Sequence, residues 1–172
     1  MDYLIDFLIL GLIYYLYFYR KWRKRSIKEL IINTIMYVYI VMVLFVTLMP
    51  FTISILLGST NSLFTANFIP FRDFQEGYNG AIKEIILNII MMMPFGFLYP
   101  IIKKRGVLHT LILTLLFSII IECSQLLGSL WGGAPSRSFD VTDLFTNTIG
   151  GFIGYLMFIC LRPIVNKIVR SS

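Results

Sequence analysis

Glu84 and Asn88 stand four residues apart, Glu122 and Gln125 three apart, and Asp140, Asp143 and Asn147 three and four apart, in sequence that is otherwise nearly all apolar. On a helix each set falls on one face. Asn67, Arg72, Asp73 and Arg137 lie in the segments between the apolar stretches. These residue types divide the available chemistry. Arg72 and Arg137 can hold phosphate or carboxylate, while Asn88, Gln125 and Asn147 can donate hydrogen bonds to a sugar or an amide. Glu84, Glu122, Asp140 and Asp143 offer hard oxygen ligands of the kind that suit Mg²⁺ or Ca²⁺, or an acid/base pair for catalysis. Charged groups inside hydrocarbon are costly, so their presence marks a functional-site candidate, although structural pairing explains some such residues. Asp140 also suits a helix N-cap, and both Asp140 and Asp143 favour the positive end of the helix that follows. Glu122 lies about five residues inside its apolar stretch, roughly 7 Å in depth, and needs a partner or a proton. Arg137 and Arg72 are the candidates for that pairing.

The elements that must position these groups are membrane-spanning helices. The 172 residues are 58% hydrophobic and the mean hydropathy is +0.81, too apolar for a water-soluble domain of this size. Stretches of about 20 apolar residues are needed to cross roughly 30 Å of hydrocarbon. Five fit, approximately 3–19, 30–49, 85–102, 107–127 and 141–161. All read as helices, because a lipid-exposed backbone must satisfy its own hydrogen bonds. The expected fold is an all-α membrane protein, a single integral domain over 1–172 built as a bundle of about five transmembrane helices. No soluble domain is left over.

Charge sets the expected orientation. Arg20, Lys21, Arg23, Lys24, Arg25 and Lys28 follow the first stretch, Lys103, Lys104 and Arg105 the third, and Arg162, Lys167 and Arg170 the fifth. The positive-inside rule makes these segments cytoplasmic, with the C-terminus inside and the N-terminus outside. Only Arg72, Lys83 and Arg137 of the 15 basic residues fall on the other side, together with all the carboxylates except Glu29. The isoelectric point of about 9.4 therefore reflects membrane orientation and calls for no nucleic-acid partner. Anionic lipid headgroups are a second explanation for the Arg20 to Lys28 stretch. The N-terminus has no positively charged n-region, so the first apolar stretch is expected to remain as a span. Tyr14, Tyr15, Tyr17, Tyr19 and Trp22 resemble an aromatic belt at its inner end.

Breakers and isolated residues shape the rest. Pro50 is expected to end or kink the second helix, and the loop to Gly80 either dips into the bundle as a re-entrant segment or lies in the interface. Pro94 should kink the third helix. Gly150-Gly151-Phe152-Ile153-Gly154 supplies small residues for close helix packing. Cys123 and Cys160 sit toward opposite leaflets, too far apart for a disulfide, and read as small packing residues. His109 is solitary and has no zinc pattern around it.

Read in order, Asn67-x-x-Pro70-Phe71, Glu84-x-x-x-Asn88, Met93-Pro94-Phe95-Gly96-Phe97, Glu122-x-x-Gln125 and Arg137-x-x-Asp140-x-x-Asp143-x-x-x-Asn147-x-x-Gly150-Gly151-x-x-Gly154 resemble the VanZ-like family over about residues 30–161. The resemblance implies a multi-pass protein of the bacterial plasma membrane, in a group whose named member raises resistance to the glycopeptide teicoplanin. It supplies no reaction. The sequence contains no P-loop, no paired CxxC and no GxSxG elbow, so ATP-driven export and serine hydrolysis lack support.

Several functions stay open at this point. The first is recognition of a lipoglycopeptide or a lipid-linked cell-wall precursor at the outer leaflet, with the Phe-rich loop meeting an acyl chain. The second is a membrane-embedded enzyme using Glu84, Glu122, Asp140 and Asp143, with or without a divalent cation. Ion- or lipid-coupled transport is a third. A buried ion-pair network that only fixes helix register is a fourth.

Overall fold

The computed structural model describes residues 2–49, 66–130 and 139–170. Within them, five helices are long and apolar enough to cross a membrane: Tyr3–Trp22, Ile27–Thr47, Ala81–Lys103, Val107–Gly128 and Val141–Lys167. The first span joins α1 (Asp2–Ile13), a π-helical stretch (Tyr14–Tyr19) and α2 (Arg20–Trp22). Right-handed helical backbone at both joints makes it one rod. The second is α3 (Ile27–Thr47). A two-residue strand, β1 (Ala66–Asn67), and one helical turn, α4 (Arg72–Gln75), lead to α5 (Ala81–Lys103) and α6 (Val107–Leu130). Strand β2 (Phe139–Asp140) then runs directly into α7 (Val141–Arg170).

Helix boundaries follow local capping rather than hydropathy alone. α3 begins at Ile27, before the apolar run, because Ser26 caps it and accepts from the Glu29 amide at 3.2 Å. Ser26-x-x-Glu29 is a capping-box spacing. α5 begins at Ala81, so Glu84 belongs to its first turn rather than to the loop before it. It also runs through both Pro94 and Pro100. The Tyr39 hydroxyl donates to the Met91 carbonyl at 2.8 Å, next to the Ile90 carbonyl that Pro94 leaves without its helical donor.

Packing between α5 and α7 is closest. A Cβ on Gly96 would strike the Gly151 carbonyl, one on Gly150 the Ile89 carbonyl, and one on Gly154 the Met93 carbonyl. The two backbones therefore touch, which is how membrane helices gain contact when lipid provides no hydrophobic drive between them. Contacts at Ile89 with Gly150 and at Met93 with Gly154 also set the pair parallel. The other face of α5 presents Met92, Phe95 and Tyr99 to Val43 of α3 and Ile121 of α6 in the buried apolar cluster. Phe95 lies 5.4 Å from Phe117 and 5.6 Å from Tyr99, ring centre to ring centre.

The face of α6 turned to α7 is unexpectedly polar. Thr110, Thr114, Ser118 and Glu122, each four residues from the next, are all buried. Thr114 bonds back to the Thr110 carbonyl at 2.9 Å, and its side chain fills the space that a Cβ on Gly151 would need. The first span is more peripheral. It is tied to α3 by Tyr14 to Thr34 at 2.8 Å and by the Tyr37 hydroxyl on the Leu10 carbonyl at 2.7 Å. Tyr3 and Phe7 add ring contacts with Phe45.

Two smaller expectations need adjustment. Cys123 and Cys160 are free but exposed on the bundle surface, so neither fills a packing gap. His109 stacks against Tyr99. The expected break at Pro50 and the stretch up to residue 65 lie outside the described residues.

The α5/α7 contact yields a direct stability test. Gly96→Ala should destabilise the protein by about 1–3 kcal/mol, the usual cost of forcing an atom into a filled interface. Gly11→Ala, where an added Cβ meets nothing within 4 Å, should be neutral or slightly stabilising. Thermal unfolding of detergent-solubilised protein measures both.

Candidate functional site

At the end of the bundle where α5 and α7 begin, the β1–β2 pair closes the chain on itself. Ala66 pairs with Phe139 and Asn67 with Asp140, in parallel. Asp140 is the junction of this cap. Its Oδ1 accepts from the Thr142 amide at 2.6 Å, the expected N-cap of α7, and its Oδ2 accepts from Asn67 Nδ2 at 3.0 Å. Its own amide donates to Glu122 Oε2 at 3.0 Å. One residue thus joins β1, α6 and α7. Thr142 then accepts from the Phe71 amide at 2.9 Å. Phe71 holds left-handed backbone at φ 58°, a conformation costing a bulky residue roughly 1–2 kcal/mol.

Beside this junction Asp73, Glu84, Asp140 and Asp143 line one small cleft with Phe71, Phe74 and Thr142. Its free volume is about 20 Å³, room for a single water-sized group. Asn88 hydrogen-bonds the Asp143 carboxylate from the adjacent turn of α5. Among the described residues no Lys or Arg lines the cleft, and none of its four carboxylates forms an ion pair with a described residue. Both α5 and α7 begin here, and the positive ends of their dipoles offset part of the repulsion. The cleft presents oxygen acceptors, and its chemical complement is a donor-rich or cationic group.

Arg72 has a different partner from the one expected. Its guanidinium donates to Glu76 at 2.8 Å on the exposed side of α4, and that hydrogen bond raises its pKa above the ordinary arginine value. It does not reach Glu122. Arg137, the other expected partner, lies outside the described residues. Glu122 is buried, and its described contact is the Asp140 amide rather than a cation. The network reading consequently changes character: hydrogen bonds, not described ion pairs, join these carboxylates.

The remaining candidates sit near the cleft but do not line it. Gln125 donates to the Thr47 carbonyl at 3.2 Å, fastening α6 to the end of α3. Asn147 is buried one turn deeper and donates to Ser118 Oγ at 2.8 Å, while its Oδ1 has no described hydrogen-bond partner. Sequence reasoning did not single out Thr142, Ser118 or Asp6. Thr142 and Ser118 read as ordinary span residues, since a hydroxyl can satisfy itself on its own helix. Asp6 of α1 is fully buried and is not without a partner. The rule that flagged Glu122 applied to it equally.

Among the described residues no three His, Cys, Asp or Glu side chains converge closely enough to hold a metal ion. Asp140, moreover, already commits both carboxylate oxygens to the cap.

The family model described as VanZ/LLP1 matches residues 34–162. Protein VanZ of Enterococcus faecium is 35% identical over 80 residues, a segment covering 46% of this chain and 46% of that relative. No solved structure matches the chain. With the family model covering all of α5, α6 and the start of α7, where the carboxylate cleft is built, the chain belongs to the VanZ/LLP1 family of multi-pass membrane proteins.

Proposed function

We propose that the chain recognises an amphiphilic cell-envelope ligand, a lipid-bearing glycopeptide or a lipid-linked wall precursor, at the outer face of the bacterial plasma membrane. In doing so it contributes to resistance of the teicoplanin type that the family resemblance implies. The supporting observation is the convergence of Asp73, Glu84, Asp140 and Asp143 on one cleft beside a loop that exposes Phe68, Ile69, Phe74 and Tyr78. A polar recess next to an apolar edge suits a molecule with a headgroup and an acyl chain. The carboxylates accept hydroxyl, amide or ammonium donors from the headgroup, and the aromatic edge meets the chain. The positive-inside rule puts this end of the bundle outside, where glycopeptides and wall precursors meet.

Asp143 and Glu84 carry the recognition in this reading, because Asp140 is already occupied by the cap. Asp143→Asn and Glu84→Gln should each weaken binding of teicoplanin or of a lipid-linked precursor by about tenfold, the loss of one charge-assisted hydrogen bond. Membrane abundance should stay unchanged. Binding to the purified protein, paired with drug susceptibility of expressing cells, measures this. Unchanged binding in both variants would leave the carboxylates with a purely bracing role and end the recognition reading.

Asp140→Ala should behave differently. It removes the α7 cap and the tie to Asn67, costing about 1–2 kcal/mol of stability, and should lower the melting temperature. Asp140→Asn, which can still accept at Thr142, should recover much of the loss.

A further inference from the structure

A second cavity, of about 400 Å³, opens at the opposite end of the bundle, where α5 ends, α6 begins and α7 passes both. Lys104 and Arg105 line it from the α5–α6 turn, and Arg162 and Asn166 from α7, with Tyr155 and Phe158 forming an aromatic wall. The volume falls within the range of roughly 300–1,000 Å³ typical of small-molecule sites. Its charge has one sign. Among the described residues no carboxylate lines it, and none of its three cations forms an ion pair with a described residue.

Two backbone features add to that charge. Gly106 lines the cavity immediately before α6, and its carbonyl accepts from both the Thr110 amide and the Thr110 hydroxyl. The positive end of a long helix therefore faces the same space, the usual setting for an anion. Lys104 occupies the left-handed C-cap of α5 at φ 54°, a position that glycine usually fills because a Cβ is strained there. A charged side chain thus stands where the backbone alone would favour none.

The positive-inside rule accounts for basic residues at this end, as it does for the Arg20 to Lys28 stretch. It requires neither a cavity nor the convergence of cations from two separate segments upon one. An aromatic wall beside those cations further suits a ligand that carries an acyl chain with its phosphate.

We propose that this cavity binds the phosphate of an anionic membrane phospholipid, held by Lys104, Arg105 and Arg162 at the head of α6, with the lipid chain against Tyr155 and Phe158. The site is separate from the carboxylate cleft and stands whether or not that cleft recognises an envelope ligand. Basic pockets between membrane helices are a known setting for such headgroups.

The full chain in phosphatidylcholine nanodiscs doped with phosphatidylglycerol tests the assignment, with bound lipid counted by native mass spectrometry. The expected result is saturable retention of about one phosphatidylglycerol per chain in preference to phosphatidylcholine. Lys104→Gly and Arg162→Gln should each weaken that retention about tenfold, as expected for one charge-assisted contact. Lys104→Gly also relieves the left-handed strain, so its loss of lipid should come without loss of thermal stability. The double variant Arg20→Gln/Arg23→Gln removes twice the charge of either single variant, away from the cavity, and should retain lipid normally. Inorganic phosphate, added as competitor, separates the sources. Weak displacement supports the lipid, whereas displacement at low millimolar concentration supports the same phosphate site with a soluble occupant. Equal retention of the two lipids, or an equal effect from the Arg20/Arg23 substitutions, would reduce the cavity to general surface attraction and overturn the proposal.

Discussion

The backbone contact between α5 and α7 is the constraint on which the rest of the structure depends. Gly150 against Ile89 and Gly154 against Met93 fix how far one helix is displaced along the other, because no larger residue fits between them. Being parallel, the two helices then begin at one level. That brings Asn88, one residue before the first contact on α5, to Asp143 in the first turn of α7. The carboxylate cleft is thus a consequence of register: a slip of one turn, about 5.4 Å, would separate Glu84 and Asn88 from Asp143. α6 preserves the same register from the side, where the Thr114 side chain fills the space above Gly151 and Asn147 reaches Ser118.

With register set, Asp140 and Asp143 take different work despite their proximity. Asp140 precedes α7, so its side chain can fold back onto the Thr142 amide while its backbone pairs with β1. Asp143 lies within the first turn, where the side chain points off the helix toward α5. The first residue is committed to holding the cap in place, and the second is held in the cleft by Asn88. Glu122 supports this division from beneath. By accepting from the Asp140 amide, it fixes the entry of the chain into α7 at a point where a buried backbone donor otherwise costs roughly 1–3 kcal/mol.

Much of this architecture was legible in the sequence, for identifiable reasons. Spans are long apolar runs and polar stripes follow helical spacing, so the five helices and the grouping of Glu84, Asn88, Asp140 and Asp143 could be read directly. The start of α3 was legible in principle from Ser26 and Glu29, but hydropathy obscured it because Lys28 and Glu29 interrupt the apolar run. Partners across long separations were less accessible. Asn67 meets Asp140 across 73 positions through strands only two residues long, too short for an alternating pattern. Charge complementarity pointed Arg72 toward Glu122, whereas Glu76 stands one helical turn away and needs no long-range ordering. Ser118 and Thr114 carried no signal at all, since hydroxyls on a membrane helix show their role only once the facing residue is located, Asn147 for Ser118 and Gly151 for Thr114.

The distribution of charge along α5 and α7 separates what folding needs from what it does not. Carboxylates at the first turn and Lys or Arg near the last complement the helix dipole, each contributing a few tenths to about 1 kcal/mol, so Asp143 at one end and Lys103 at the other are accounted for by helix electrostatics. Dipoles are satisfied by charges anywhere around a terminus, however, and gain nothing from crowding like charges together. At one end four carboxylates from α4, α5, β2 and α7 share a single cleft, and at the other three cations from two segments share a single cavity. Like charges brought together raise the energy of the fold unless helix dipoles, a change of protonation or a bound group of complementary character offsets them. The convergence at each end, rather than the sign of the charges there, is therefore the observation on which both binding proposals rest.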